Sequence, residues 1–186
     1  MRDYFLRISE LLLDIQVTDQ RGTILSLEEG RKKAIVSIKS IKYPPARKMM
    51  LIGNGGSAAI VSHMQDDFCK ASGIRAMVFN EPPLLMAIAN DCGYEYIFER
   101  PIDIWADSGD LLFAVSSSGE SKNILRGVKA SIRQQCQVIT FSGFNNNNRL
   151  RHMGNLNFYV PSRSYAYVEL IHSILGHFFT DCAENL

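Results

Sequence analysis

Two short stretches concentrate residue types that bind anions and hydroxyls. Gly53-Asn54-Gly55-Gly56-Ser57 follows an apolar run and precedes a helical pattern. Glycines there let the backbone come close to a ligand, and the free N–H groups at a helix start, at the positive end of its dipole, favour an anion or a hydroxyl cluster. The stretch is neither G-x-G-x-x-G nor a P-loop, which also needs a lysine, so alone it also reads as a tight turn. The second is Ser116-Ser117-Ser118-Gly119-Glu120-Ser121, again between a strand and a helix. Three consecutive hydroxyls, a glycine and a fourth hydroxyl at the helix cap can wrap a phosphate with neutral donors and backbone N–H groups, without an arginine. The plainer reading is an N-cap with ordinary loop serines.

Two further pairs are spaced for helices. His63 and Asp67 are four residues apart, hence on one face about a turn apart, where they can ligate one metal ion. Glu169 and His177 are eight apart, roughly 80° around a helix, so they too point to one side. His172 faces elsewhere or borders that side.

The elements that must position these residues are legible as hydrophobic patterns. Phe5, Ile8, Leu11, Leu12 and Ile15, then Leu27, Ala34, Ile35, Ile38 and Ile41, recur at helical spacing and predict two helices parted near Arg21-Gly22. Pro44-Pro45 closes this region. Beyond it, strands are expected at 48–52, 74–79, 111–115, 138–142 and 156–160, and helices after the first loop through Phe68, over 83–89, over 121–134 and over 165–182. Short apolar runs of this kind are strands buried on both faces, so the fold class is α/β, a three-layer sandwich with a central parallel sheet flanked by helices. Ligands of such sheets sit beyond the carboxyl ends of the strands, and both loops emerge there, which suggests one pocket. Asn145 to Asn148 reads as a solvated turn without function.

The composition sets bounds on the rest. A chain of 186 residues with 46% hydrophobic and 21% charged residues suits one domain, with residues 1–43 as N-terminal helices and 44–186 as the α/β core. A formal net charge of +1 gives no long-range field toward nucleic acid or anionic lipid. Cys69, Cys92, Cys136 and Cys182 form no C-x-x-C pair and are expected as reduced thiols. No apolar run approaches the roughly 18 residues of a membrane span, and no leader pattern opens the chain, so a cytoplasmic protein is expected.

In order and spacing, Gly53-Asn54-Gly55-Gly56-Ser57-Ala58, Asn90-Asp91-x-Gly93-Tyr94-Glu95 and Ser116-Ser117-Ser118-Gly119-x-Ser121 resemble the phosphoheptose isomerase branch of the sugar isomerase (SIS) family, over nearly the whole chain. The resemblance implies a flavodoxin-like SIS fold and a phosphate held by Ser116, Ser117, Ser118 and Ser121. It implies a sugar lined by Asn54, Gly55, Gly56, Ser57, Asn90 and Asp91. Phosphoheptose isomerases carry a histidine and a glutamate four apart after the first loop, and a glutamine and a histidine eight apart on the last helix. Here these read His63, Asp67, Glu169 and His177, a nitrogen and oxygen set that still suits zinc. The implied reaction is aldose–ketose isomerisation of sedoheptulose 7-phosphate or a related ester, which serves heptose supply for surface polysaccharide. Asp67 is expected as base and His177 as its partner on the opposite side of the sugar. Asp67 in place of Glu shortens the reach by one methylene, and Glu169 in place of Gln adds a charge. The resemblance further implies a homotetramer in which the N-terminal helices bundle. Two other readings stand beside the enzyme. One is a non-catalytic SIS protein that binds a partner such as a replication initiator, although such proteins lack the helix carboxylate and the final histidine. The other is a sugar-phosphate sensor, for which the chain leaves no room for a separate DNA-binding domain.

Overall fold

The computed structural model describes residues 1–43 and 47–185. In chain order the elements are α1 (Arg2–Leu13), β1 (Gln16–Asp19), β2 (Ile24–Leu25), α2 (Leu27–Lys42), β3 (Met49–Gly53), α3 (Gly56–Lys70), β4 (Ala76–Val78), α4 (Pro82–Asp91), α5 (Glu99–Trp105), β5 (Leu111–Ser116), α6 (Lys122–Arg133), β6 (Gln137–Ser142), β7 (Leu156–Tyr159) and α7 (Tyr165–Glu184). One sheet runs in the order β2-β1-β7-β6-β5-β3-β4. The five strands from β7 to β4 are parallel, whereas β1 pairs antiparallel with both β7 and β2.

The α/β sandwich expected from the sequence is present. Alternate residues of each parallel strand face opposite cores, which is why these strands read as continuous apolar runs. Met49, Leu51, Phe113, Val115, Ile139 and Phe141 face the layer that holds α2, α3 and α7. Met50, Ile52, Leu112, Ala114 and Val138 face the layer of α5 and α6. On the first face Phe113, Phe141, Phe158 and Phe179 form a ring cluster with centroids 5.2–6.2 Å apart, which fixes α7 to the sheet. No described helix is long and apolar enough to cross a membrane.

Three expectations need correction. The gap between the first two helices is not a simple break but the β1–β2 hairpin, so the sheet is mixed rather than purely parallel. Asp19 Oδ1 accepts the backbone N–H groups of Arg21 and Thr23, each at 2.9 Å, and Gly22 takes φ +78°, which makes the turn locally self-contained. The strand expected at 74–79 is only Ala76–Val78, and α5, over Glu99–Trp105, is an additional helix. The Pro44-Pro45 breaker lies outside the described residues, although α2 ends just before it, at Lys42.

Strand order places the site. From β3 the chain goes one way to β4 and the other way to β5, so β3 and β5 flank the point where the winding reverses, the usual ligand crevice of open α/β sheets. Gly53 pairs in register with Val115, so the glycine loop and the serine loop leave the sheet side by side.

Candidate active site

The serine loop is held in an open, donor-rich form. Ser116 Oγ accepts the Gly119 N–H at 3.2 Å, and Ser118 Oγ accepts the Glu120 N–H, also at 3.2 Å. Ser121 occupies the N-cap of α6, yet its hydroxyl makes no capping bond. Ser117 Oγ is buried and has no hydrogen-bond partner among the described residues. A buried hydroxyl without a partner costs about 1–3 kcal/mol, which a bound acceptor would relieve.

The loop is braced from behind by the segment that follows β6. Asn148, fully buried, donates through Nδ2 to the carbonyls of Gly143 (3.1 Å) and Asn145 (2.8 Å) and to Ser142 Oγ (3.3 Å), while its Oδ1 accepts the Arg151 N–H at 2.9 Å. Gly119 takes φ +66°, and a Cβ there would lie 2.0 Å from Asn148 Oδ1, so only glycine suits the position. The Leu150 N–H donates to the Gly119 carbonyl at 3.0 Å, and Arg149 pairs with Glu120. The asparagine run is therefore not merely a solvated turn. Asn145 to Asn147 are exposed, whereas Asn148 is a structural hub.

The two loops are tied together by side chains. Asn54 Nδ2 donates to Asn123 Oδ1 at 3.0 Å and Asn123 Nδ2 donates back to Asn54 Oδ1 at 2.8 Å, a reciprocal amide pair between the glycine loop and the first turn of α6. Tyr94 Oη adds a bond to Asn54 Oδ1 at 3.3 Å. Asn90 and Asp91, exposed at the end of α4, bond to each other at 2.8 Å. Tyr94 belongs to the Asn90-to-Glu95 motif, whereas Asn123 lies outside all three motifs. The signal for Asn123 is an amide at a buried position beside Ile124 and Leu125, two residues after the last serine.

Helix α3 starts at the glycine loop and packs along α7, where Gly176 leaves room for Met64: a Cβ there would sit 3.0 Å from Met64 Cγ. This contact brings His63 and Asp67 against His177. The ligand atoms of the three lie within 4.8 Å of one another. His177 Nδ1 is 3.4 Å from Asp67 Oδ2 and His63 Nε2 is 3.9 Å from Asp67 Oδ1. Thr180 Oγ1, 2.9 Å from the His177 carbonyl to which it donates, also lies 3.4 Å from Asp67 Oδ2, and the two imidazoles meet edge to face. Asp67 and His177 are thus neighbours on one side rather than groups facing each other across a substrate. Along α3, His63 lies roughly 10 Å and Asp67 roughly 16 Å from Gly56, at about 1.5 Å of rise per residue. Both histidines are about half exposed.

Glu169 falls outside this group of three. Its carboxylate instead lies over the start of α3, where a Cβ on Gly56 would be 2.5 Å from Oε2. His172 points inward. It is fully buried, with Nε2 3.2 Å from the Ser142 carbonyl; because a carbonyl only accepts, Nε2 carries a proton, and Nδ1, buried without a partner among the described residues, favours the neutral ring. Burial pushes its pKa down to about 4.

The donor set fits zinc in kind and spacing. Two imidazole nitrogens and a carboxylate oxygen are ordinary zinc ligands; bonds of about 2.0–2.1 Å in tetrahedral geometry separate ligand atoms by about 3.3 Å, so a set whose atoms lie within 4.8 Å of one another would close slightly around an ion.

Comparison with known proteins agrees with this geometry. The family model described as "SIS domain" matches residues 44–143, which holds both loops. Phosphoheptose isomerase of Burkholderia pseudomallei is 32% identical over 161 residues, 83% of this chain and 80% of that protein. The solved phosphoheptose isomerase of Neisseria gonorrhoeae superposes with a TM-score of 0.75 at 26% identity, covering 86% of this chain and 91% of that one. That of Francisella tularensis reaches a TM-score of 0.84 at 21% identity, with 100% and 96% covered, a likeness of fold. The chain belongs to the SIS domain family, in its phosphoheptose isomerase branch.

Proposed function

We propose that this protein is an aldose–ketose isomerase of phosphosugars that converts sedoheptulose 7-phosphate, or a related ester, to glycero-manno-heptose 7-phosphate through an enediol. The observation that carries the reading is the amide pair of Asn54 and Asn123, which joins a glycine loop to a donor-rich serine loop at the reversal of the sheet. Ser116, Ser117, Ser118 and Ser121, with the N–H groups at the start of α6, hold the phosphate. Asn54, Gly55, Gly56, Ser57, Asn90, Asp91 and Glu169 line the sugar.

Isomerisation moves a proton from one carbon to the carbon beside it, while the original carbonyl oxygen gains a proton and the hydroxyl oxygen on the neighbouring carbon loses one. Asp67 and His177, 3.4 Å apart, suit transfers between such neighbouring atoms. Asp67 takes the proton next to the carbonyl and His177 gives one to the enediol oxygen. His63, Asp67 and His177 would hold a zinc ion, which when bound would polarise a carbonyl oxygen as a Lewis acid, whereas Glu169, over the start of α3, is left to the sugar. The half-exposed flank of the cluster is where a second subunit of a cytoplasmic homotetramer would close the site.

Turnover on a panel of C5 to C7 sugar phosphates, with and without added zinc, tests the reading. Asp67→Asn and His177→Asn are expected to lower kcat by about 10²–10⁴-fold with unchanged circular dichroism. Near-normal turnover in either variant would refute its assignment.

A further inference from the structure

Resting on the reading of the serine loop as a phosphate site, we infer that Arg149 is an electrostatic positioning residue that neutralises Glu120, a carboxylate placed within the phosphate loop itself. Glu120 lies between Gly119 and Ser121, so its charge is carried on the same short stretch that must accept a dianion. A free carboxylate there opposes the ligand. A unit charge within about 8 Å in partly solvated surroundings is worth about three- to tenfold in affinity.

The structure holds that carboxylate with two contacts from one residue, which makes a third to the main chain of Glu120. The Arg149 backbone N–H donates to Oε1 at 2.8 Å, Nε donates to Oε2 at 2.6 Å, and Nη2 reaches the Glu120 carbonyl at 3.3 Å. The backbone of Arg149 is itself set by buried Asn148 on one side and by the bond from Leu150 to Gly119 on the other. The guanidinium is therefore delivered to the loop by the same brace that shapes it. The contacts of Arg149 also hold the Glu120 carboxyl below its ordinary pKa, so the pair stays ionised. As an exposed ion pair it adds little to stability. Its effect is on the charge that a phosphate meets.

Three variants read this out, with sedoheptulose 7-phosphate as substrate and inorganic phosphate as competitive inhibitor. Arg149→Gln is expected to raise KM and the phosphate inhibition constant by about three- to tenfold, with kcat within about twofold and the melting temperature unchanged. Glu120→Gln is expected to bind phosphate as tightly as the wild type or more tightly. The double variant E120Q/R149Q is expected to return to within about twofold of wild type. The inference fails if R149Q binds like wild type, or if the double variant is as weak as R149Q. Should R149Q not fold, a weakening of phosphate binding in E120Q alone would equally overturn it, because the carboxylate would then be helping the loop. A wild-type protein that neither turns over sugar phosphates nor binds inorganic phosphate would overturn the proposed function and this inference together. A wild type that binds phosphate, with an indifferent R149Q, would remove this inference alone.

Discussion

His172 shows how surroundings decide between two positions that spacing leaves open. Its place among Glu169 and His177 puts it at the border of the polar side, yet it is fully buried against the Ser142 carbonyl and Phe141. With a folded pKa of about 4 against an ordinary 6.5, the unfolded chain binds one more proton between these values, so stability rises with pH across this window and is lost as pH falls from about 6.5 toward 4. The full effect is about 3 kcal/mol. Urea unfolding from pH 7 to 4 should show this loss in the wild type and a smaller one in His172→Gln, and an identical slope in both would contradict the neutral buried ring. Ser117 offers a second reading at this scale. Since its Oγ has no partner among the described residues, Ser117→Ala is expected to hold or raise the melting temperature while raising KM for a sugar phosphate several-fold. A loss of stability without a change in KM would make the hydroxyl structural.

At the scale of elements, the helices that carry the cluster were visible in the sequence because their apolar positions follow the 3.6-residue period. The structure confirms α3, α6 and α7 within a few residues of their expected ends. The β1–β2 hairpin was not visible, because Ile15 continues a helical pattern and the strand that ends it, Gln16–Asp19, is only four residues long. Its identity as a strand depends on β7, some 140 residues away, which no local pattern reveals. In the same way Asn123 and Asn148 owe their roles to partners distant in sequence or hidden in a turn. The start of α2 is local and its worth can be tested. Ser26 Oγ accepts the Glu29 N–H and the Glu29 carboxylate accepts the Ser26 N–H, a complete capping box. Ser26→Ala should cost about 1 kcal/mol, read as a fall of about 2–4 °C in melting temperature for a domain of this size. At the opposite end of the sheet, Gly56→Ala should fold, since its new methyl meets only the movable carboxylate of Glu169, yet should lower kcat/KM by displacing that carboxylate. Unchanged kinetics would remove Glu169 from the sugar site.

For the molecule as a whole, the apolar surface sets the expectation for assembly. Leu170, Ile174 and Phe178 recur every fourth residue along α7, each about 40% exposed, and Phe5, Leu6 and Leu13 of α1 are more exposed still. Light scattering is expected to give a tetramer, and Ile174→Glu is expected to shift it toward smaller species; a wild-type monomer would count against that assembly. Fold class and loop positions were legible at this scale because a parallel sheet forces its ligand to the carboxyl ends of its strands, whatever the side chains. The relation of Asp67 to His177 was not, because the packing of two helices through Gly176 and Met64 decides it.

The pairing of β1 with β7 also fixes an order of events during synthesis. Residues 1–42 leave the ribosome before residues 156–184, but β1 docks on residues 156–159 and both α1 and α2 rest on α7. The earlier segment is thus seated late. Until β7 and α7 emerge, the greasy face of α2 and the edge of β1 that pairs with β7 have no cover, and in this interval the chain is open to proteases and chaperones.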